Sequence, residues 1–562
     1  METVTLILKE DSKEKRFEVQ KQKLMDKSLY FAALWSANFR EYDQTEHTIN
    51  YPHISSQMLQ DFIYWIQHYK IFTSATKYDE KELIRLLNLL DLSVLFAADK
   101  LIEDITDKLE RHFMLPIYAI KIWLLAQKLN VKMLRDLSLD VCLDRFSELP
   151  LDSIYDLSKE DFLKLIGNIN IRATESYLVD VTREWNNRHH KDFTVPLNII
   201  ENKEAKILHG IISCEHNNRE QYIHCWDGND FFELTSFEYP PDIIDRCSKT
   251  GNSLEGMQIT ARRYDLYLCG GEYGIGSGIF NENVWRYSLI SKKWILEADM
   301  PVERRHMITV FLKDKLYLVG GVGRDRQELR TIDIYDIYTG VWTSSGSEMP
   351  CMSRLYSVVP EYFIFNAKLI IFIFQTHFFI YFPDEDIWRT QDALYWIRLE
   401  SAPSDAPILT LKTMSCYIDV ADQDKMVLKA ITETCNVEGC NNIIKIFSYP
   451  TKNNSAKVIY DNPRVRQIFS ENNDRYFFVL IPFFRHTREK MEEEPAALLC
   501  SDLDDIVHNK HTLHLHSIPI RDPRKLRSLF FTEKKICSLP VRRFFNLRIL
   551  HPAHLHTTNL CN

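Results

Sequence analysis

The sequence predicts a multidomain chain: an α-rich front half carrying a small sheet, followed by an all-β half of short strands grouped into repeated sheets. Three observations carry that prediction. Up to about Arg188 the apolar residues recur at helical spacing, with short strands only at the beginning, whereas from about Ile207 onward they fall in short runs between turn residues. Glycine divides the chain in the same way: Gly167 is the only one before Gly210, and twelve of the sixteen lie between Gly251 and Gly346. The third observation is an internal repeat in the second half whose matching positions lie 48 to 50 residues apart, a period that marks a stack or ring of similar units.

Composition agrees and excludes several classes of function. The 562 residues amount to about four domains at roughly 150 residues each. Apolar residues make up 45%, charged residues 26% and aromatics 12%, too rich in large apolar side chains for a disordered protein. A net charge of −9 argues against binding to nucleic acid by the protein as a whole. The first nineteen residues hold only about five apolar ones before charges intervene, so they lack the core of a secretory signal, and a cytoplasmic protein is expected, with the nucleus as the other compartment. Twelve cysteines are scattered singly from Cys142 to Cys561 with no Cys-x-x-Cys pair, which fits reduced core thiols; Cys435 and Cys440 are the closest two, and a metal or a bridge there is the minor alternative. Residues 362–383 have membrane-spanning length, but Asn366, Lys368, Gln375, Thr376 and His377 would be costly in lipid, and the segment reads better as buried strands joined by a polar turn.

In the front half, residues 4–8 and 17–19 predict a pair of strands, residues 24–35 the start of a helix, and residues 83–113 helical packing through Leu92, Leu95, Phe96 and Leu101. Phe17-Glu18-Val19, then Leu24, Ser28, Tyr30 and Phe31, then Phe39-Arg40-Glu41, and Leu92 through Leu101 together resemble a BTB domain over residues 1–115. Ala119-Ile120 to Leu129, Phe146, Leu157 to Leu165 and Val181-Thr182-Arg183-Glu184-Trp185 resemble a BACK domain over residues 116–200.

In the second half, Leu266-Tyr267-Leu268-Cys269-Gly270-Gly271 is followed by Tyr287 and Trp294, and Leu316-Tyr317-Leu318-Val319-Gly320-Gly321 by Tyr335 and Trp342. A decayed third copy, Leu369 to Phe374, keeps Tyr381 and Trp388 and has lost the glycines. Each unit is a four-stranded sheet that cannot bury both faces alone, so neighbours stack radially; the glycine pair permits a bend, and the tryptophan packs between sheets. These residues resemble the kelch repeat, and a β-propeller over residues 206–520 is expected, with six blades inferred from spacing. Residues 207–247, 410–460 and 476–517 have strand-like runs without the signature. Residues 521–562 carry nine Lys/Arg against Asp522 and Glu533 and are read as a basic tail or a strand closing the ring.

The order BTB, BACK, kelch resembles the kelch-like family of substrate adaptors for cullin-3 ubiquitin ligases. That resemblance implies a non-catalytic protein without cofactor whose front domains bind cullin-3 and whose propeller binds an unidentified protein substrate; the alternative is an actin-binding or scaffold protein with no ligase role. It places the cullin contact on Phe39 and Glu41, an apolar anchor and a hydrogen-bonding carboxylate. It places acidic-ligand recognition on Arg304, Arg305 and, one repeat later, Arg354, with structural links between blades as the competing role. Arg324 and Arg326 read as loop surface. The chain departs from the family at Thr3, at Gln20 and near residues 67–69, carries an inserted stretch around residues 73–82, and starts where relatives have a preceding helix and strand that latch a dimer, so homodimerisation is left open. His511, His514 and His516, and likewise His551, His554 and His556, share a His-x-x-His-x-His spacing without carboxylate or cysteine partners, and the reading is ordinary strand and tail histidines. Residues 273–278 are glycine-rich but lack the Lys-Ser/Thr pair of a phosphate loop. No catalytic triad is assigned.

Overall fold

The computed structural model describes residues 2–10, 13–36, 43–72, 79–168, 171–190, 208–214, 220–226, 231–350, 361–365, 367–373 and 377–392, together with strands at 409–418, 426–436, 439–449, 457–461, 476–481, 497–502, 516–517 and 545–547. The chain divides into two compact units, residues 1–205 and 206–562.

The first unit opens with β1 (Thr3–Glu10) and β2 (Lys13–Gln20), paired antiparallel, and β3 (Glu46–Ile49) lies parallel to β1 on its other edge. Alternation along β1 puts Val4, Leu6 and Leu8 into the core. The single helix expected from residue 24 is two, α1 (Lys21–Lys27) and α2 (Leu29–Leu34). The break is Ser28, whose extended backbone lets its hydroxyl accept from Phe31 N at 3.3 Å and cap α2. The periodic stretch at residues 83–113 likewise spans two helices, α4 (Glu80–Leu95) and α5 (Asp99–His112), separated at Ala97, whose φ is +47°. Before them in sequence lies α3 (Ser56–His68), capped by Ser55 and packed on α4.

A first core gathers Leu24, Phe31, Trp35, Phe62, Trp65 and Phe96. Arg85 of α4 binds Asp61 of α3 bidentately at 2.6 and 2.9 Å and reaches Glu82, which also takes Lys108 of α5 at 2.9 Å, so these charges enter the interior as neutralised pairs. Next come α6 (Pro116–Lys128), α7 (Lys132–Asp144), α8 (Leu151–Tyr155), α9 (Lys159–Ile166) and α10 (Glu175–His189). Their core holds Trp123, Phe146, Phe162 and Trp185, with Phe162 and Trp185 stacked at 4.6 Å. Helix α6 serves both cores, giving Ile122 and Ala126 to the first and Ala119, Ile120 and Trp123 to the second.

The second unit is built of antiparallel sheets. The first contains β4 (Leu208–Cys214), β5 (Glu220–Trp226) and β6 (Phe231–Glu238). After it comes α11 (Pro241–Thr250), a helix where the sequence reading expected only strands; Pro241 at its first turn and Gly251 just past its end, at φ +68°, are the start and stop signals. A short ladder joins β7 (Leu254–Glu255) and β10 (Glu272–Tyr273), and the second sheet is made by β8 (Gln258–Arg262), β9 (Asp265–Cys269), β11 (Asn283–Ser288) and β12 (Lys293–Asp299). The third contains β13 (Ile308–Leu312), β14 (Lys315–Val319), β15 (Ile332–Asp336) and β16 (Val341–Ser344).

The fourth sheet contains β17 (Glu361–Phe365), β18 (Lys368–Ile373), β19 (His377–Phe382) and β20 (Ile387–Asp392), so the apolar stretch at residues 362–383 forms strands, and no helix among the described residues is long and apolar enough to cross a membrane. The fifth contains β21 (Leu409–Ile418), β22 (Met426–Asn436), β23 (Gly439–Tyr449) and β24 (Lys457–Asp461), and a three-stranded sheet follows from β25 (Tyr476–Ile481), β26 (Ala497–Asp502) and β27 (His516–Ser517). The last strand, β28 (Phe545–Leu547), pairs with β4, so the two ends of the unit share one sheet.

Candidate functional site

The same aromatic device joins the sheets. Tyr287 and Trp294, Tyr335 and Trp342, and Tyr381 and Trp388 are each direct cross-strand partners, with ring centroids 5.1, 4.9 and 5.0 Å apart. The third copy thus keeps the geometry although its glycines are gone. The first two devices also reach the preceding sheet: Trp294 Nε1 donates to Glu238 O at 2.7 Å, Tyr287 Oη to Ser236 O at 3.4 Å, and Tyr335 Oη to Glu297 O at 3.4 Å. Burial pushes the Tyr287 phenol up to about 12. These rings act as packing and hydrogen-bonding struts.

The glycine pairs end the second strand of the second and third sheets in one conformation: φ is +64° and +102° at Gly270 and Gly271, and +64° and +103° at Gly320 and Gly321. A β-carbon on Gly321 would lie 2.9 Å from Arg305 O, which is why the position takes glycine. That close approach seats the segment bearing Arg304 and Arg305 between the two pairs. Arg304 O accepts from Gly271 N at 2.9 Å, and Arg305 exchanges backbone hydrogen bonds with Val322 at 3.0 and 2.8 Å.

Both arginines therefore point into the protein, where the expectation was a grip on an acidic ligand. Arg304 is 0% exposed; it donates to Gly320 O at 3.1 Å and Thr331 Oγ1 at 3.4 Å and is ion-paired with Asp333. Burial disfavours its charge and Asp333 opposes that effect, leaving its pKa below the ordinary guanidinium value. Arg305 is 2% exposed, ion-paired with Glu272 at 2.9 Å, and donates to His306 Nδ1 at 2.8 Å. Of the two roles weighed for these residues, the geometry fits links between successive sheets.

The acids that hold them were missed in the sequence. Glu272 directly follows a glycine pair, and its other carboxylate oxygen accepts from Gly276 N at 3.0 Å and Gly278 N at 2.9 Å. The glycine-rich loop at residues 273–278 is thus an anion-binding nest already filled by a carboxylate of the same chain, a use of backbone N–H groups that the missing Lys-Ser/Thr pair made plausible.

What this rim offers to a partner is different. Ile275 and Ile279 stand 55% and 44% exposed on the loop whose base Glu272 holds. Exposed Arg326 approaches that loop, its guanidinium 3.8 Å from where a β-carbon on Gly276 would lie, and Arg324, two residues before it, clasps Glu303 bidentately at 2.5 and 2.6 Å, drawing that carboxyl below its ordinary value. Two aliphatic knobs next to guanidinium groups on a braced loop suit recognition of a protein surface. Phe39, Glu41, Arg354, His511, His514, His551, His554 and His556 lie outside the described residues, and His516 falls in β27. Among the described residues no three metal-capable side chains come together.

A model of the kelch motif matches residues 304–347, the span that runs from Arg304 through Trp342. The second unit carries a kelch motif. A stretch of 107 residues is 31% identical to Kelch-like protein 35 of Mus musculus, covering 17% of this chain and 17% of that one. Another of 133 residues is 26% identical to Kelch repeat and BTB domain-containing protein 8 of Homo sapiens, covering 22% and 21%, and one of 158 residues is 29% identical to an F-box/kelch-repeat protein of Arabidopsis thaliana, covering 24% and 32%. The chain thus matches less than a third of each relative's own length. A kelch motif implies a β-propeller, and the second unit contains multiple antiparallel sheets.

Proposed function

We propose that this kelch-like chain is a non-catalytic substrate adaptor of a cullin-3 RING ubiquitin ligase. On this reading residues 1–115 form a BTB domain and residues 116–200 a BACK domain that together bind the cullin, and the second unit is a six-bladed propeller, its ring latched by β28 on β4, that binds the protein to be modified. The observation that carries the proposal is the order of parts: a β2-β1-β3 sheet wrapped by helices, a second helical core, then kelch repeats. Phe39 and Glu41 fall in the connection between α2 and β3, the place where the family's cullin-contact tripeptide stands.

The adaptor does no bond chemistry; it raises the effective concentration of substrate lysines beside a charged ubiquitin carrier. Substrate contact belongs to the exposed rim, with Ile275, Ile279, Arg324 and Arg326 as its candidates; buried Arg304 and Arg305 support that rim from beneath, and Arg354, their counterpart one repeat later in the sequence, stays a candidate on the sequence alone. The test is co-purification of the full chain with the N-terminal domain of cullin-3. Wild type retains the cullin, a Phe39→Ala/Glu41→Ala variant loses it, and equal recovery with both, or with neither, would overturn the reading.

A further inference from the structure

The backbone of the fifth sheet brings together two cysteines that the proposed function does not use. Strands β22 and β23 pair antiparallel in an unbroken register over eleven positions, from Met426↔Tyr449 to Asn436↔Gly439, and Cys435 stands directly opposite Cys440. Two residues, 437 and 438, separate the last paired positions. In a hairpin with two residues between its strands, the pair flanking the loop is a hydrogen-bonded one, and bonded and non-bonded pairs then alternate along the ladder. Cys435↔Cys440 is the next pair out, so it takes a non-hydrogen-bonded position. At such a position the opposed Cα atoms approach to about 4.5 Å, and the two residues share one face of the sheet. A disulfide requires Cα atoms about 4.4–6.8 Å apart, so the register meets this requirement. The other cysteines whose surroundings are described, Cys142, Cys247 and Cys269, are buried, and burial pushes the thiols of Cys142 and Cys269 above the ordinary range, which makes them inert.

We propose that Cys435 and Cys440 are a redox couple: a cross-strand dithiol that a low-molecular-weight disulfide such as oxidised glutathione converts to an intrachain disulfide. The thiolate of one cysteine attacks a sulfur of oxidised glutathione, forming a mixed disulfide and releasing one glutathione thiolate. The thiolate of the second cysteine then attacks the protein sulfur of that mixed disulfide and displaces the other glutathione. The two protein thiols lose two protons and two electrons in all, and one oxidised glutathione becomes two reduced ones. The consequence is mechanical. A one-residue slip of a strand exchanges its two faces, and a covalent bridge one pair from the turn forbids that slip over the whole hairpin.

The test uses the purified full chain, equilibrated with oxidised glutathione, quenched with acid, alkylated with N-ethylmaleimide and digested with trypsin. Lys429 and Lys445 bound a tryptic peptide, residues 430–445, that contains both cysteines and no internal lysine or arginine. The expected product is that peptide two hydrogens lighter than its dithiol form and unalkylated, with two alkylations restored when dithiothreitol precedes the maleimide. Cys440→Ser should leave Cys435 alkylated or glutathionylated and never bridged. Two alkylated cysteines in the oxidised wild type, stable glutathione adducts on both, or linkage of either to another cysteine would each overturn the proposal, and the wild-type measurement decides it even if the variant does not fold.

Discussion

Removing the carboxylate of Asp333 probes how neighbouring sheets of the second unit are joined. Arg304 is wholly enclosed, and its guanidinium is shared among Gly320 O at 3.1 Å, Thr331 O at 3.5 Å, Thr331 Oγ1 at 3.4 Å and the Asp333 carboxylate, which in turn takes Ser344 Oγ at 2.8 Å. In Asp333→Ala the cation keeps its carbonyl partners and loses its counter-charge. Removing one partner of a buried pair costs about 3–5 kcal/mol. The retained carbonyls place this case at the lower end, and about 3 kcal/mol is roughly a hundredfold in an opening equilibrium. Global melting is the wrong assay, because a chain with several cores need not unfold in one step. Native-state hydrogen exchange resolves the effect: amides of β14 and β15 should exchange about a hundredfold faster, those of α3 to α5 should not change, and Asp333→Asn, which keeps an acceptor, should fall between. A change below about threefold in β14 and β15 would refute the idea that this pair links the sheets.

Further outcomes follow from particular residues. Gly321→Ala should destabilise the second unit more than Gly251→Ala: both carry positive φ, which costs about 1–2 kcal/mol for a non-glycine residue, but only Gly321 also meets backbone, at 2.9 Å, whereas a β-carbon at Gly251 meets nothing within 4 Å; equal losses in urea titrations would contradict the close-approach argument. Lys27 is lowered from 10.5 to about 8 by burial and by Lys23. Between those values the unfolded chain holds a proton that the folded chain does not, so this group makes stability rise with pH through that window and leaves it flat below; Lys27→Met should remove the rise in denaturation midpoints measured from pH 8 to 10.5. Truncation after residue 540 removes β28, so the amides of β4 should exchange faster while those of β13 to β16 keep their protection; unchanged exchange in β4 would mean that the latch is idle.

Much of the architecture was legible because it is written locally. A tyrosine and a tryptophan seven residues apart find each other across one hairpin, and a glycine pair after an apolar strand needs only its own positive φ values, so Tyr381 and Trp388 could be placed even in a decayed repeat. Elements were misjudged where one residue overrides a periodicity. The serine cap at Ser28 divides a continuous apolar pattern into two helices, and Pro241 with Gly251 encloses α11 inside a stretch that otherwise reads as strand.

The roles of the charged residues were settled only in three dimensions. Local sequence shows Arg304 and Arg305 on a connection between strands, where a guanidinium can face outward or inward. Their direction depends on Asp333 and Glu272, which lie 29 residues later and 33 residues earlier and reach them only when neighbouring sheets stack. Register decides in the same way for Cys435 and Cys440, which are five apart in sequence and become partners only through strand pairing. Periodicity and turn chemistry are properties of adjacent residues and survive in a string of letters, whereas the sign and direction of a long side chain's interactions are fixed by whichever opposite charge the fold delivers to it.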